Sequence, residues 1–138
     1  MTATVYIALG SNLGDKRANL RAARAAIAEL TGTTVLAESS VEETEPIGPA
    51  DQPTYLNQML AVRTSLAPQQ LLEELQAIER RCGRVRGERW GARTLDLDIV
   101  RYGKESVNTP ELTVPHPEIS NRDFWQREIA ELDMVLGE

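Results

Sequence analysis

Two aspartates separated by a single leucine, Asp96 and Asp98, are the sharpest chemical signal in the sequence. Side chains alternate along a strand, so both carboxylates project from one face while Leu95, Leu97 and Ile99 enter the core from the other. Like charges held that close raise each other's pKa unless a cation lies between them. Mg²⁺ commonly binds one or two carboxylates together with substrate phosphates. The pair therefore predicts a Mg²⁺ site; the alternative is the polar face of an edge strand.

Arginines precede this pair and supply nearly all the positive charge, because the only lysines are Lys16 and Lys104. Six arginines fall between Arg80 and Arg93. Their planar donor forks suit bidentate contact with phosphate. A metal beside guanidinium groups favours a polyphosphate ligand over the alternative of a solvated helix end and loop. Trp90, set among glycines and arginines, is expected to cover that ligand. The absence of a GxxxxGK[ST] motif excludes a P-loop enzyme.

Three residues could recognise a flat heterocycle. Tyr55 and Asn57 begin a predicted strand on the same face, and Phe124 is the only phenylalanine. Two aromatic rings could stack on such a ring while an amide reads its edge, with core packing as the alternative.

His116 lies between two prolines and is either a ligand contact or a structural histidine with satisfied hydrogen bonds. Cys82 lies on an apolar helix face and is interpreted as packing.

Composition limits the class of protein. The 138 residues are 41% hydrophobic and 26% charged, which predicts one globular domain spanning residues 1–138. The net charge of -6 argues against nucleic-acid binding. One cysteine and one histidine nearly exclude a zinc site. Neither a long apolar run nor a signal-like start occurs, so a cytoplasmic protein without membrane attachment is expected, acting as a monomer.

Apolar periodicity predicts the elements that must position these side chains. Strands are predicted over residues 4–9, 33–41, 56–64 and 94–102, and helices over about 15–30, over 68–82 and from about 121 onward. Gly10 is expected to end the first strand, and loops are expected over residues 45–55 and 83–93. The order βαββαβ predicts a ferredoxin-like α+β sandwich, with a mostly antiparallel sheet, helices on one face and a short helical tail.

Taken together, these residues resemble the 6-hydroxymethyl-7,8-dihydropterin pyrophosphokinase family. The matching stretches run in family order from Tyr6 to Phe124, and the arginine-to-aspartate stretch is the most specific. They are 6–14 (YIALGSNLG), Thr44 with 46–49 (PIGP), Gln52 with 55–57 (YLN), 83–86 (GRVR), 89–99 (RWGARTLDLDI) and 114–117 (VPHP) with Arg122 and Phe124.

The resemblance implies pyrophosphoryl transfer from ATP to the hydroxymethyl group of the pterin, releasing AMP, in folate biosynthesis. Asp96 and Asp98 would bridge two Mg²⁺ ions on the ATP phosphates. The phosphate contacts would come from Arg84, Arg93, His116 and Arg122. Arg84 and Arg93 would also be catalytic, together with the two aspartates. The rest of the nucleotide site would be lined by Gln76, Glu79, Ile99 and Thr113.

For the pterin, the resemblance implies stacking on Tyr55 and Phe124. The pterin edge would be read by Thr44, by Asn57 and by the backbone of Ile47. Arg86 and Trp90 would lie on a loop that closes over both substrates, with Trp90 also contacting the pterin.

The chain departs from the family pattern at several positions. Glu45, preceded by Glu42 and Glu43, stands where the family often has proline or an apolar residue. Glu111 replaces a residue that is basic in many relatives. The stretch 125–128 (WQRE) replaces an apolar, proline-containing run. Three alternatives stay open: another Mg²⁺-dependent phosphotransferase or nucleotidyltransferase, a degenerate ATP-binding homologue without turnover, and an RNA-binding module. The low aromatic content, 4%, disfavours the RNA-binding module.

Overall fold

The computed structural model describes residues 1–45, 54–82 and 95–137. The strands are β1 Ala3–Ser11, β2 Thr33–Glu38, β3 Glu42–Thr44, β4 Tyr55–Thr64, β5 Asp96–Tyr102, β6 Val107–Asn108 and β7 Thr113–Val114. The helices are α1 Lys16–Ala28, α2 Pro68–Arg81 and α3 Asp123–Leu136, and a short 3₁₀ turn, Ile119–Asn121, precedes α3. No helix in this part of the chain is long and apolar enough to cross a lipid bilayer.

The main sheet has the strand order β2-β4-β1-β5, and its pairings are antiparallel. β3 continues along the same edge of β4 as β2, opposite the first residues of β4. Helices α1 and α2 connect β1 to β2 and β4 to β5. This order confirms the predicted ferredoxin-like α+β fold.

Both faces of the sheet are covered. On one face, Leu20 and Ile27 of α1 and Leu71 and Ile78 of α2 pack on a core that includes Ile7. On the other face, α3 covers a second core, made of Tyr6, Ala8, Met59, Ala61, Val100, Trp125 and Leu132. The sequence predicted the helical tail but not the surface on which it packs. Its position explains why β4 is buried at consecutive positions instead of alternating between buried and exposed.

The predicted starts of α1 and α2 are confirmed by the contacts at their first turns. The carboxylate of Asp15 accepts a hydrogen bond from the backbone N–H of Ala18 at 3.1 Å. Pro68 occupies the first turn of α2, and the side chain of Gln70 accepts a bond from the N–H of Ala67 at 3.0 Å. Cys82 packs, partly buried, against the first core, as expected for a packing residue.

The prediction that the first strand ends at Gly10 is wrong. β1 continues through Ser11, and Gly10 pairs with Asn57 of β4 on one side and Asp96 of β5 on the other. Hydrogen bonding from two neighbouring strands overrides the tendency of a Gly-Ser-Asn sequence to form a turn.

The predicted single strand over residues 33–41 is divided into β2 and β3. Ser39 interrupts the ladder, because its hydroxyl oxygen accepts a bond from the N–H of Met59 at 2.8 Å. Its own N–H donates to the carbonyl of Met59 at 2.8 Å. β3 was not predicted, since glutamates are poor strand formers and the pairing with β4 alone sets its conformation. The β6–β7 hairpin also lies in a stretch without a predicted element.

Polar contacts fasten the last turns of α3 to the sheet. The hydroxyl of Tyr6 donates to Oδ1 of Asp133 at 2.5 Å, and Nη2 of Arg101 donates to the same oxygen at 2.7 Å. The guanidinium of Arg101 also lies 4.3 Å from the ring centroid of Tyr6. Burial, and then the bond to Asp133, raise the pKa of the Tyr6 hydroxyl above its ordinary value. The tyrosine therefore stays a neutral donor. Asp133 accepts its hydrogen bond, and the same carboxylate also accepts a bond from Arg101.

Candidate active site

The two aspartates lie on β5, at one edge of the main sheet. Asp96 pairs with Gly10, and Asp98 pairs with Ala8, which belongs to the core under α3. Both carboxylates therefore lie on the α3 face, as alternation along the strand predicts. Both residues are partly exposed, and the side chain of Asp98 is 41% exposed. The neighbouring leucines and Ile99 are buried in the opposite core, so the predicted division between the two faces is confirmed.

Glu79 of α2 fixes the backbone between the two aspartates. Its Oε2 accepts a hydrogen bond from the N–H of Leu97 at 2.7 Å. This bond pairs a backbone N–H that would otherwise be unpaired on the outer edge of the strand.

The other residues expected to line the nucleotide site are spread around β5. Gln76 is partly buried on α2, Ile99 has its side chain in the core, and Thr113 is exposed on β7. Ile99 could contact a nucleotide only through its backbone.

His116 presents one ring nitrogen toward this edge. Its Nδ1 accepts a bond from the N–H of Glu118 at 3.1 Å, so the proton of the neutral ring sits on Nε2. Nε2 lies 3.9 Å from Oδ1 of Asp98. Burial lowers the pKa of His116, the charge of Arg122 lowers it further, and Glu118 opposes both. The ring is therefore a neutral N–H donor beside the aspartates.

Trp125 connects His116 with Arg122. The indole is 2% exposed and meets the imidazole edge to face, with ring centroids 4.8 Å apart and an interplanar angle of 89°. The guanidinium carbon of Arg122 lies 4.4 Å from the tryptophan ring centroid. Among the described contacts, Nε of Arg122 is buried without a hydrogen-bond partner. Sequence reasoning missed this role for Trp125, and the only signal was its position directly after Phe124.

The residues expected to bind the pterin lie on β3, β4 and the start of α3. Nδ2 of Asn57, which is 7% exposed, donates to Oγ1 of Thr44 at 2.5 Å. Thr44 pairs with Tyr55, which is half-buried at the start of β4. Phe124 lies in the first turn of α3, with its ring centroid 6.4 Å from that of Trp125. The structure therefore brings both the stacking candidates and the edge-reading candidates to the α3 face.

Gly10 joins the two groups of residues in one row across the sheet. Asp96 and Asn57 are its cross-strand partners on either side, so they stand about two strand spacings apart, roughly 10 Å. A Cβ at Gly10 would lie 3.1 Å from Oδ1 of Asn57 and 3.5 Å from Cδ1 of Tyr55. Gly10 itself is buried, and a side chain there would crowd Asn57 and Tyr55, so the missing side chain lets these two groups lie close to β1.

The carboxylates suit a hard cation. Two partly exposed carboxylates on one face leave room for further oxygen ligands, which is the arrangement Mg²⁺ favours. In the described ranges no group of three or more acidic, histidine or cysteine side chains could enclose a metal ion. Mg²⁺ held by one or two carboxylates commonly takes its other ligands from substrate phosphates and water.

Five of the predicted site residues lie outside the described residues. They are Ile47, Arg84, Arg86, Trp90 and Arg93. Their assignments remain predictions.

A family model and several named proteins match this chain. Residues 6–134 match the family model described as 7,8-dihydro-6-hydroxymethylpterin-pyrophosphokinase. Proteins named 2-amino-4-hydroxy-6-hydroxymethyldihydropteridine pyrophosphokinase are similar along most of the chain. The protein of Haemophilus influenzae is 50% identical over 96% of this chain and 84% of its own length. Those of Pseudomonas aeruginosa and Bacillus subtilis are 46% and 45% identical over 96% of this chain, covering 82% and 79% of their lengths. The chain therefore belongs to the 7,8-dihydro-6-hydroxymethylpterin-pyrophosphokinase family.

Proposed function

We propose that this chain transfers the pyrophosphoryl group of ATP to the hydroxymethyl group of 6-hydroxymethyl-7,8-dihydropterin, releasing AMP, as a step of folate biosynthesis. Family membership supplies the reaction class and implies ATP as the co-substrate. The observation that carries the proposal is the row Asp96–Gly10–Asn57. It sets a candidate phosphate-and-metal site on one side of β1 and a candidate heterocycle site on the other.

The triphosphate would lie over the exposed edge of β5. Asp96 and Asp98 would hold two Mg²⁺ ions, which supply charge neutralisation and alignment of the phosphates when bound. The Nε2–H of His116 would donate to phosphate oxygens, as would the Nε–H of Arg122, which has no partner among the described residues. Trp125 keeps both groups in place by packing between them. Arg84 and Arg93 are proposed to add positive charge from the segment before β5.

The pterin would stack between Tyr55 and Phe124, and Thr44 and Asn57 would read its edge. The Thr44–Asn57 hydrogen bond fixes the orientation of the amide before the ligand binds. The backbone of Ile47, and a loop carrying Arg86 and Trp90, would complete the pocket and exclude water.

The chemical step is in-line displacement at the β-phosphorus. The bond between the pterin hydroxyl oxygen and this phosphorus forms, while the bond between the β-phosphorus and the oxygen bridging it to the α-phosphorus breaks. AMP leaves with the bridging oxygen, and the hydroxyl proton passes to solvent. Such a reaction needs positioning and charge stabilisation more than it needs a general base. The neutral donor His116 and the cation Arg122 suit that requirement.

The proposal extends to the setting of the enzyme. We place it in the cytoplasm as a monomeric single domain over residues 1–138, with two small-molecule substrates and no nucleic-acid partner. The net charge of -6 supports the last point.

The nucleotide product tests this function. The protein is incubated with ATP, Mg²⁺ and 6-hydroxymethyl-7,8-dihydropterin, and the nucleotides are separated by chromatography. AMP and pterin diphosphate in a one-to-one ratio are expected. ADP would indicate a γ-phosphoryl kinase, and pyrophosphate would indicate nucleotidyl transfer. ATP binding without pterin-dependent turnover would identify a degenerate homologue, and any of these three results would refute the proposal.

A further inference from the structure

A second pair of carboxyl groups lies on the same sheet face, underneath α3. Glu42 is on β3, where it pairs with Asn57, and Glu128 is on α3, one turn after Phe124. Glu128 is 1% exposed, and its side chain lies within hydrogen-bonding reach of Glu42. The pair therefore connects the strand and the helix that carry the proposed pterin contacts.

Three of the four carboxyl oxygens of this pair have no hydrogen-bond donor among the described residues. Among the described atoms, both carboxyl oxygens of Glu128 and Oε1 of Glu42 are buried without a hydrogen-bond partner. The remaining oxygen of Glu42 accepts a bond from Nε of Arg127 at 2.9 Å. Two ionised carboxylates cannot hydrogen-bond to each other, because each offers only acceptors. A proton on Glu128 supplies the missing donor, while Oε2 of Glu42 stays bonded to Arg127.

Two other acidic residues of α3 have the donors that Glu128 lacks. The carboxylate of Glu131 accepts bonds from the backbone N–H and the hydroxyl of Ser40 at 3.0 to 3.1 Å. Asp133 accepts from the hydroxyl of Tyr6 and the guanidinium of Arg101. Glu128 therefore differs from both, because its buried oxygens have no such donor among the described contacts.

We infer that Glu128 and Glu42 share one proton, and that this hydrogen bond holds β3 against α3 around the pterin pocket. Glu128 is then a positioning residue, because it acts on the pterin through Thr44 and Asn57 without touching it. This role rests on the proposed function, whereas the shared proton itself does not.

The electrostatic surroundings agree with a neutral Glu128. Burial first, then the hydrogen bond to Glu42 and the charge of Glu42, raise its pKa to about 9. Arg127 opposes this shift, and Glu131 adds to it. Above that pKa the two carboxylates would repel each other, which would weaken the contact between β3 and α3 although Arg127 stays bonded to Glu42.

Infrared spectroscopy tests the shared proton without substrates. At neutral pH the wild type should show the carbonyl stretch of a protonated carboxyl that Glu128→Gln lacks. Glu29→Gln, which removes an exposed glutamate on the cap of α1, should keep the band. Identical spectra for the wild type and Glu128→Gln would overturn the inference.

Calorimetric titration tests the positioning role. The dissociation constants of the pterin and of Mg-ATP are measured from neutral pH to about one unit above the pKa of about 9. Pterin affinity of the wild type should fall by up to about tenfold per pH unit above that pKa, while ATP affinity stays constant. Glu128→Gln, which donates an amide N–H at every pH, should abolish the additional fall, and Glu42→Gln provides a second such variant.

The outcomes separate the two proposals. An equal fall of pterin affinity in the wild type and both glutamine variants would reject the positioning role. Pterin binding that is absent at every pH would reject the proposed function, while the infrared band would still decide whether the proton is shared. Loss of the infrared band on addition of Mg²⁺ alone would show that this pair takes a cation instead of a proton, and would also overturn the inference.

Discussion

Two pairs of acidic side chains lie on the same face of the sheet and differ in exposure. The side chain of Asp98 is 41% exposed at an edge strand, whereas Glu128 is 1% exposed beneath a helix. Both pairs place like charges close together, which is unfavourable unless a positive group intervenes. We propose that the open pair, Asp96 and Asp98, takes a hydrated cation together with phosphate oxygens. The closed pair, Glu42 and Glu128, is proposed to hold a proton, because three of its four oxygens are buried without a donor among the described residues.

The largest expected effect comes from breaking the open pair. Asp96→Asn and Asp98→Asn should each lower turnover about a thousandfold, equivalent to ~4 kcal/mol, because each removes a proposed metal ligand. Thermal unfolding should change little, since both side chains are partly exposed. Turnover is measured at saturating Mg²⁺, with Glu105→Gln as an exposed acidic control near the end of β5. Near-normal turnover in both variants would contradict the assignment of Asp96 and Asp98 as metal ligands.

Breaking the closed pair should instead change the pH dependence of stability. The pKa of Glu128 is about 9 in the folded protein and ordinarily 4.5, so the folded state binds more protons between these values. The stabilisation is fully present below pH 4.5 and is lost as the pH rises through about 9. The free energy of unfolding should therefore fall by up to ~1.4 kcal/mol per pH unit across this window.

Chemical denaturation at several pH values measures this slope. Glu128→Gln should remove it, while Glu29→Gln should keep it. A slope that persists in Glu128→Gln would assign the pH dependence to other groups.

The smallest expected effect concerns the aromatic residues next to the closed pair. Tyr55→Ala and Phe124→Ala should weaken pterin binding more than ATP binding, because a stacked aromatic pair contributes about 0.5 to 1.5 kcal/mol beyond its buried area. Separate titrations with each ligand measure the difference. Equal losses for both ligands would show that the rings serve only as core.

Local periodicity was enough to predict the open pair. Alternation along a strand sets the face of Asp96 and Asp98, and the adjoining leucines indicate which face is buried. The order of strands and helices was enough to predict the ferredoxin-like fold. Both depend on residues close together in the sequence.

The closed pair could not be predicted in this way. Glu42 and Glu128 are distant in sequence, and acidic residues in a loop or tail are ordinarily solvated. Their burial depends on α3 covering the second face of the sheet. Gly10 shows the same limit, because its place in the row depends on strands β4 and β5.

Carboxyl ¹³C NMR of protein labelled in aspartate and glutamate tests the contrast between the two pairs most directly. Spectra are recorded during a pH titration and again with Mg²⁺ and a non-hydrolysable ATP analogue. The account predicts that Asp96 and Asp98 respond to Mg²⁺ and nucleotide, and that Glu128 does not respond but titrates near its pKa of about 9. A Glu128 signal that titrates in the ordinary range of a glutamate, or that shifts with Mg²⁺ while the aspartates do not, would contradict it.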